Sequence, residues 1–291
     1  MHRITNIIEK ALEEKQVCST VFLDVAQAFD KFWHEGLNYN AEILKSYLTE
    51  RFFRINQGDA YSELKEIKVG IPQGSVLSPV LYLLYTSDLP KLENSIIGMF
   101  ADDTAILAVG SGNEEPAGKL QTTINEIQKW TKKWHIQLNE SNSAHINFTH
   151  RRFEHISVTI NSQKIPHAKT AKYLGMNSDA KLLWKAHVKN KRDELGLRYE
   201  KMYWLIERDS SLSLHNKILL YKQILKPIWT YGIRLWGCTK QSNIDIIRFH
   251  NKVFRNIVNS PWYIRNNDLH RDLEVDAVSS EIQRFAQKHE E

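Results

Sequence analysis

The order of apolar and polar positions divides this chain into segments with helical or strand periodicity. Residues 4–15 place Ile4, Ile7, Ile8, Ala11 and Leu12 on one stripe, which predicts an amphipathic helix. Thr20–Val25 is a β-prone run containing an aspartate, and it predicts a short buried strand. Residues 41–50 carry apolar side chains at helical spacing again and predict a second helix.

A segment with glycines and a proline, residues 70–75, predicts a loop that leads into a helix. Ser78 is expected as the N-cap of that helix and Pro79 as its first residue. Val80–Tyr85 then forms the buried body of the helix.

Two strongly apolar runs, Ile96–Phe100 and Thr104–Val109, predict a β-hairpin. Asp102 and Asp103 stand between the runs, at or beside the expected turn. An Asp-Asp pair is ordinary turn chemistry. Here, however, the apolar flanks would leave both acids beside a core, which favours a chemical role.

Two regions with helical periodicity follow the hairpin. Residues 120–134 predict a long amphipathic helix whose Trp130 and Trp134 belong to the core rather than to a base-stacking surface. From about residue 181 the pattern becomes helical and basic, and residues 218–225 form a buried face that Pro227 is expected to close.

Composition predicts a soluble globular protein rather than a membrane or disulfide-rich one. The chain has 291 residues, of which 42% are hydrophobic and 25% charged. The longest apolar stretch, around Val80–Tyr85, is too short to cross a bilayer, and no signal-peptide core precedes it. Only Cys18 and Cys238 are present, which argues against a disulfide scaffold and a structural zinc site and favours a reducing, intracellular compartment, nucleus or cytoplasm.

Positive charge is concentrated in the C-terminal part. Residues 1–180 hold 19 Lys and Arg against 21 Asp and Glu, whereas residues 181–291 hold 20 against 13. This asymmetry favours a basic region that meets a polyanion, beside an acidic region that binds metal. A solvated helix surface is the simpler alternative.

The acidic pair suggests metal chemistry because adjacent carboxylates repel and each raises the pKa of its neighbour. Divalent cations offset that cost, and Mg²⁺ prefers oxygen ligands with room for water and phosphate. Two such ions about 4 Å apart can hold both the attacking and the leaving oxygen of a phosphoryl transfer.

Three segments carry this chemistry in a specific order. They are Asp24–Asp30 (DVAQAFD), Gly70–Pro79 (GIPQGSVLSP) and Phe100–Asp103 (FADD). Each segment alone is weak evidence of a function. With all three in this order, the sequence resembles the reverse transcriptases of non-LTR retrotransposons, especially the jockey-like elements. The resemblance extends through Tyr173–Met176 and Leu225–Gly232 to nearly the whole chain.

The resemblance implies an α+β fold. Its first part would be the palm of a right-hand polymerase, an antiparallel sheet with helices, and a mostly helical thumb-like region would follow. The palm, with a remnant of the fingers, would occupy residues 1–180 and the basic helical region residues 181–291. The implied activity is that of an RNA-directed DNA polymerase. It would bind an RNA template, a DNA primer and deoxynucleoside triphosphates, with no membrane partner.

The resemblance also implies the metal ligands. Asp24 and Asp102 would bridge two Mg²⁺ ions, with Mn²⁺ as an alternative. Asp103 would assist as a ligand or outer support, and Val25 is included in the metal-binding set.

Further roles follow from the same resemblance. Ala26, Gln27 and Ala28 would offer backbone amides to the triphosphate, and the Phe29 ring would exclude a ribose 2′-hydroxyl. Gln73 and Gly74 would border the template and nucleotide pocket. The primer end would be gripped by the segment Tyr173, Leu174, Gly175 and Met176.

Two departures from the family pattern argue for impaired activity. The chain starts just before the Asp24 motif, so the fingers region is expected to be largely absent, as in a fragment or a degraded copy. Asn142 stands where the family usually has a lysine that protonates pyrophosphate, and an amide is no general acid. A non-catalytic nucleic-acid-binding remnant and a metal-dependent nuclease are therefore the alternatives.

Overall fold

Strands and helices are both present along the chain, as expected for an α+β fold. A computed structural model describes residues 1–25, 46–72, 74–101, 103–151, 155–237 and 244–287. In this part of the chain the strands are β1 (Val17–Val25), β2 (Phe52–Phe53), β3 (Asn56–Gln57), β4 (Ala60–Tyr61), β5 (Lys65–Glu66), β6 (Ile96–Phe100), β7 (Asp103–Gly110), β8 (Leu138–Phe148), β9 (Thr159–Ile160), β10 (Gln163–Lys164), β11 (Thr170–Tyr173) and β12 (Met176–Asp179). The helices are α1 (His2–Glu13), α2 (Ser78–Tyr85), α3 (Glu114–Lys133), α4 (Lys185–Ile206), α5 (Leu214–Leu220), α6 (Lys226–Thr230), α7 (Ile233–Trp236), α8 (Ile244–Val258), α9 (Asn266–Asp272) and α10 (Val278–Gln287), with a π-helical segment at Tyr221–Leu225.

A four-stranded antiparallel sheet holds the first part of the fold together. Its strand order is β6-β7-β1-β8, so β1 is paired along both edges. The predicted hairpin is confirmed as β6 and β7, which pair Phe100 with Asp103 next to the turn. The predicted strand at residues 20–25 is likewise confirmed, although it begins earlier, at Val17.

One face of this sheet packs against α3. Val21 and Ile106 are fully buried there, beneath Leu120 and Ile124 of the helix. Side chains alternate between the faces of a strand, so Phe22 and Asp24 point to the opposite face. On that side the Phe22 ring lies 5.2 Å from the ring of Tyr173.

Contacts divide the chain into two compact units. The first comprises Met1 and Arg3–Leu174, and the second His2 and Gly175–Glu291. The first contains the four-stranded sheet with α2 and α3, and the second contains the helices from α4 onward. The division at residues 180 and 181 that the resemblance implied stays a prediction. No helix in the described ranges combines the length and the apolar character that a membrane span requires.

Three local predictions about α2 and Pro227 were wrong. The expected buried body of α2 is buried only in part, because three of its six residues are exposed: Val80, Leu83 and Leu84. Leu77, and not Ser78, occupies the N-cap of α2, and the Ser78 hydroxyl instead donates to the Pro72 carbonyl oxygen at 2.5 Å. Pro227 does not end its helix but lies in the first turn of α6, directly after the π-helical segment. A proline ring clashes with the carbonyl four residues earlier, and the wider π turn moves that carbonyl away.

The prediction for the two tryptophans is confirmed. Trp130 is buried and Trp134 half-buried, and both indole N–H groups donate to the Asp88 carboxylate, at 2.7 and 3.0 Å. The helix predicted over residues 41–50 is described only from residue 46, with residues 46–48 helical. Its remainder lies outside the described residues.

A large bulge interrupts the pairing of β1 with β8. Phe22 pairs with Ala144 and Asp24 pairs with Asn139, so residues 140–143 face the single residue Leu23. The Ser143 hydroxyl accepts from the Asp24 backbone N–H at 3.2 Å and donates to the Asn139 carbonyl oxygen at 2.7 Å. The bulge therefore replaces lost ladder bonds with side-chain bonds.

The second unit buries a histidine among aromatic rings. His250 contacts Tyr221, Phe254 and the stacked ring of His270, and its Nδ1 is hydrogen-bonded to the Tyr221 hydroxyl. Burial, followed by the charges of His270 and Lys226, lowers the pKa of His250 to about 3. The folded state therefore keeps this imidazole neutral.

The two hydrogen bonds of the Ser143 hydroxyl predict that this side chain stabilises the bulge. Ser143→Ala would leave a donor of Asp24 and an acceptor of Asn139 unsatisfied, and should lower the free energy of unfolding by about 1–3 kcal/mol. Urea denaturation followed by circular dichroism measures the loss. Ser141→Ala, an exposed serine of the same bulge, is the matched control, and equal effects of the two changes would contradict this role for Ser143.

Burial of His250 predicts acid lability. The pKa is about 6.5 in the unfolded chain and about 3 in the folded one, so the unfolded state gains a proton as pH falls between these values. The free energy of unfolding should fall by about 1.4 kcal/mol per pH unit from this group. His250→Asn should reduce the slope by about one proton, whereas the exposed His215→Asn should leave it unchanged. An unchanged slope for His250→Asn in a pH series of urea titrations would refute the assignment.

Candidate active site

The structure places two of the predicted acids side by side. Asp24 lies near the end of β1, Asp103 is the first residue of β7, and the two are direct partners in the antiparallel ladder. Directly opposed residues share a face of the sheet, with Cβ atoms about 4.5–5.5 Å apart. Both side chains are half-buried. The fold therefore holds two carboxylates within reach of one cation.

The bulge of β8 brings an amide to the same point. The Asn142 side chain donates from Nδ2 to Oδ2 of Asp24 at 3.2 Å, across 118 positions of sequence. Its backbone N–H is held by Asn139 Oδ1 at 3.3 Å. Asn142 thus contacts the carboxylate proposed for metal binding, which the sequence pattern did not show.

Asn139 and Ser143 are site residues that sequence reasoning missed. Their hydrogen bonds shape the bulge that carries Asn142, and Ser143 also holds the backbone of Asp24. The only signal in the sequence was the polar run Asn139–Ser143 within an otherwise strand-like segment.

Tyr173 lies beside the acidic pair. Its hydroxyl donates to the Gly98 carbonyl oxygen at 3.1 Å, and its ring packs against Phe22. Burial, and then the negative charge of Asp103, raise the pKa of the Tyr173 phenol to about 12. The phenol therefore stays protonated and forms a wall of the site near Asp103.

The three residues after Tyr173 form a tight turn and a buried anchor. Leu174 and Gly175 have φ values of 47° and 73°, the left-handed region in which glycine is not strained. Met176 is buried, and its sulfur lies so close to Gly232 that a Cβ at this glycine would clash with it. Met176 thus packs inside the second unit, and the predicted grip of this segment on a primer stays a prediction.

Of the other predicted residues before Tyr173, the structure describes Gly74 and Val25. Gly74 is exposed, with a φ of 84°, in the loop before α2. Val25 follows Asp24 and pairs with Leu138. Asp102, Gln73 and the run Ala26–Phe29 lie outside the described residues. Their assigned roles stay predictions.

The donor set at this point suits a hard divalent cation. Asp24 and Asp103 supply carboxylate oxygens, which Mg²⁺ and Mn²⁺ prefer over nitrogen or sulfur. Two like charges held by backbone pairing also gain from a cation between them. The residues present therefore fit a magnesium site.

Comparison with solved structures finds telomerases at low similarity. The telomerase of Candida tropicalis in complex with a TWJ fragment of telomeric RNA is 14% identical, with a TM-score of 0.42 over 99% of this chain and 52% of that one. The apo form from the same organism is 11% identical, with a TM-score of 0.41 over 95% of this chain and 56% of that one.

Curated relatives are more similar in sequence. A probable RNA-directed DNA polymerase from transposon X-element of Drosophila melanogaster is 36% identical over 99% of this chain. The RNA-directed DNA polymerase from the mobile element jockey of the same species is 35% identical over all of it. The chain spans about a third of the length of each relative, 34%.

A family model described as reverse transcriptase (RNA-dependent DNA polymerase) matches residues 1–178. The match contains the four-stranded sheet, Asp24 and Asp103. The sequence resemblance is therefore confirmed, as is the predicted α+β fold of a right-hand polymerase palm. This chain belongs to the reverse transcriptase family.

Proposed function

We propose that this chain is the catalytic part of an RNA-directed DNA polymerase, which adds deoxynucleotides to a primer 3′-hydroxyl on an RNA template. The observation that carries the proposal is the direct pairing of Asp24 with Asp103 on adjacent strands. Membership of the reverse transcriptase family supports the reaction class.

Asp24, Asp102 and Asp103 are proposed to hold two Mg²⁺ ions, with Val25 beside them. When bound, these ions lower the pKa of the primer hydroxyl and neutralise charge on the triphosphate. The protein contributes position: β1 is fixed on both edges, and Ser143 holds the Asp24 backbone. An active site of bare carboxylates suits phosphoryl transfer, in which positioning and electrostatics supply most of the rate.

The rest of the pocket is proposed from the family resemblance. Backbone N–H groups of Ala26–Ala28 bind the triphosphate, and Phe29 excludes a 2′-hydroxyl. Gln73 and Gly74 border the template and nucleotide, and Tyr173–Met176 contact the primer end.

The basic helical region is proposed to follow the duplex. Within residues 181–240 there are 13 Lys and Arg against 5 Asp and Glu. Such side chains bind phosphates without reading sequence, so they would position the template–primer duplex and make its binding salt-dependent.

A second function, nucleic-acid binding without catalysis, is favoured by Asn142. The residue donates to Asp24 and carries no transferable proton for the leaving pyrophosphate. Salt-dependent binding of an RNA–DNA primer–template by the wild-type chain, with no incorporation, would support this second function over the first.

The carboxylate assignment predicts the loss of polymerase activity on neutralisation. Asp24→Asn and Asp103→Asn each remove a charged metal ligand, and each should lower the rate of primer extension on an RNA template with Mg²⁺ by at least about 10²-fold. Asp59→Asn, an exposed acid in the turn between β3 and β4, is the matched control and should retain the full rate.

The same assay can reject the assignment. Extension at the wild-type rate after combined replacement of Asp102 and Asp103 by Asn would place the chemistry elsewhere. Far-ultraviolet circular dichroism of each variant ensures that a loss of rate reflects the site and not the fold.

The proton-donor account predicts that Asn142→Lys raises the rate of single-nucleotide incorporation. A general acid at this position contributes about 10²–10⁴-fold, and the new lysine should give a rate that falls at high pH as it deprotonates. Ser141→Lys adds the same charge to the exposed part of the bulge and should leave the rate unchanged.

A lower rate of incorporation by Asn142→Lys would have a structural explanation. Asn142 already reaches the Asp24 carboxylate, so a lysine there can pair with it and compete with Mg²⁺. A lower rate together with a higher Mg²⁺ requirement would contradict the proton-donor account.

A further inference from the structure

Three histidines converge in the first unit, away from the acidic pair. His145, His155 and His167 each place a ring nitrogen within 4.8 Å of those of the other two. The ring centroids of His155 and His167 are 3.9 Å apart, and that of His145 lies 5.0 and 6.0 Å from them. Among the residues that the structure describes, this is the one such convergence of three metal-ligating side chains.

Backbone hydrogen bonds hold two of these histidines next to each other. The His145 N–H donates to the Pro166 carbonyl oxygen at 2.9 Å, and the Ala168 N–H donates to the His145 carbonyl oxygen at 2.8 Å. His167 therefore runs parallel to His145, as a bridge beside β8. The fold, and not chance side-chain rotation, places these two rings together.

The protonation of His145 follows from the donors around it. The Ser19 hydroxyl has one proton and donates it to Asn147 Oδ1 at 2.6 Å. The Ser19 hydroxyl oxygen also lies 2.7 Å from His145 Nε2, and there it must accept a hydrogen bond from the imidazole. A neutral His145 thus carries its proton on Nε2 and a lone pair on Nδ1.

The Nδ1 atom of His145 is an unsatisfied polar atom in the protein interior. The residue is fully buried, with 0% of its surface exposed, and Nδ1 has no hydrogen-bond partner. A buried acceptor without a partner costs free energy that a bound cation would recover. The bond from Nε2 to Ser19 is also the outer contact that orients a metal-binding histidine.

Electrostatics favour the neutral form of two of these imidazoles, His145 and His155. Burial, followed by the charges of His155 and His167, lowers the pKa of His145 to about 3. Burial and the charge of His167 also lower the pKa of His155. Neutral imidazoles are the form that binds a metal.

We propose that His145, through Nδ1, together with His155 and His167 binds one transition-metal cation of the Zn²⁺ class, with water in the fourth position. Three imidazoles with no carboxylate suit zinc, copper, nickel or cobalt rather than magnesium. His167 is exposed and His155 half-buried, so the ion can enter from solvent. The cysteine pattern argued against a structural zinc site, whereas these histidines can supply one without thiolates.

The proposed site is separate from the acidic pair. His145 pairs with Val21, whose side chain points to the α3 face of the sheet, while Asp24 points to the other face. A cation at the histidines would tie β8 to the segment after β10. The expected consequence is greater stability of the first unit, because a metal that binds only the folded state stabilises it.

Zinc titration of the untagged chain tests the proposal. Isothermal titration calorimetry in excess Mg²⁺ should show one Zn²⁺ per chain, and Co²⁺ should show the visible absorption of a tetrahedral nitrogen site. His155→Ala and His167→Ala change the two more accessible rings and should each weaken Zn²⁺ binding by at least about 10-fold. His150→Ala, an exposed histidine outside the cluster, and Asp24→Asn should bind Zn²⁺ as the wild type does.

A second measurement, the melting temperature, distinguishes loss of a specific Zn²⁺ site from unfolding of the variants. Zn²⁺ should raise the melting temperature of the wild type and of His150→Ala, but not that of the His155→Ala/His167→Ala double variant, whose metal-free melting temperature should match the wild type. Ser19→Ala should weaken Zn²⁺ binding by about 10- to 100-fold, because His145 loses its orienting partner. No Zn²⁺ binding by the wild type, or equal affinity in the double variant, would overturn the proposal whatever the polymerase assay shows.

Discussion

The geometry of the acidic site depends on the pairing of β1 along both of its edges. β7 sets Asp103 directly opposite Asp24, and β8 supplies the bulge that carries Asn142. A strand bonded on both sides cannot slip by one residue without turning its buried side chains to the wrong face. The burial of Val21 under α3 therefore also fixes where the Asp24 carboxylate points.

The direct pairing of Asp24 with Asp103 is electrostatically unfavourable. Two carboxylates on one face repel, and the backbone ladder leaves them little room to separate. Within the described residues, the Asn142 amide, held by Asn139, provides a hydrogen bond to Asp24. An amide stabilises the carboxylate without cancelling its charge, so the affinity for a cation remains. This is the physical link between the β8 bulge and the proposed phosphoryl transfer.

The two faces of the sheet carry different chemistry. The Asp24 face presents oxygen ligands and the phenol of Tyr173, which burial keeps protonated. The other face carries the apolar core under α3 and, farther along β8, the imidazole cluster around His145. Hard oxygen and softer nitrogen donors select different cations, so one strand system can position two sites without competition between them.

Much of the local structure could be predicted from the sequence. The hairpin of β6 and β7, the long helix α3 and the buried strand β1 follow from hydrophobic periodicity, which short-range sterics and burial impose directly. Exceptions occur where a local rule meets tertiary context. Pro227 continues a helix because a π turn precedes it, and Ser78 bonds to Pro72 rather than capping α2.

The sequence by itself determined the elements and the family, since three spaced motifs need no coordinates to be recognised. Only the tertiary structure decided which side chains meet. The Asp24–Asn142 bond spans 118 positions and that of Ser19 with His145 spans 126. Such contacts depend on the register of the strands and on a bulge in β8. Neither produces a periodic pattern in the sequence, because the side chains that meet are polar and lie far apart along the chain. Convergence of distant side chains is a property of the packed sheet, and the linear pattern does not encode it.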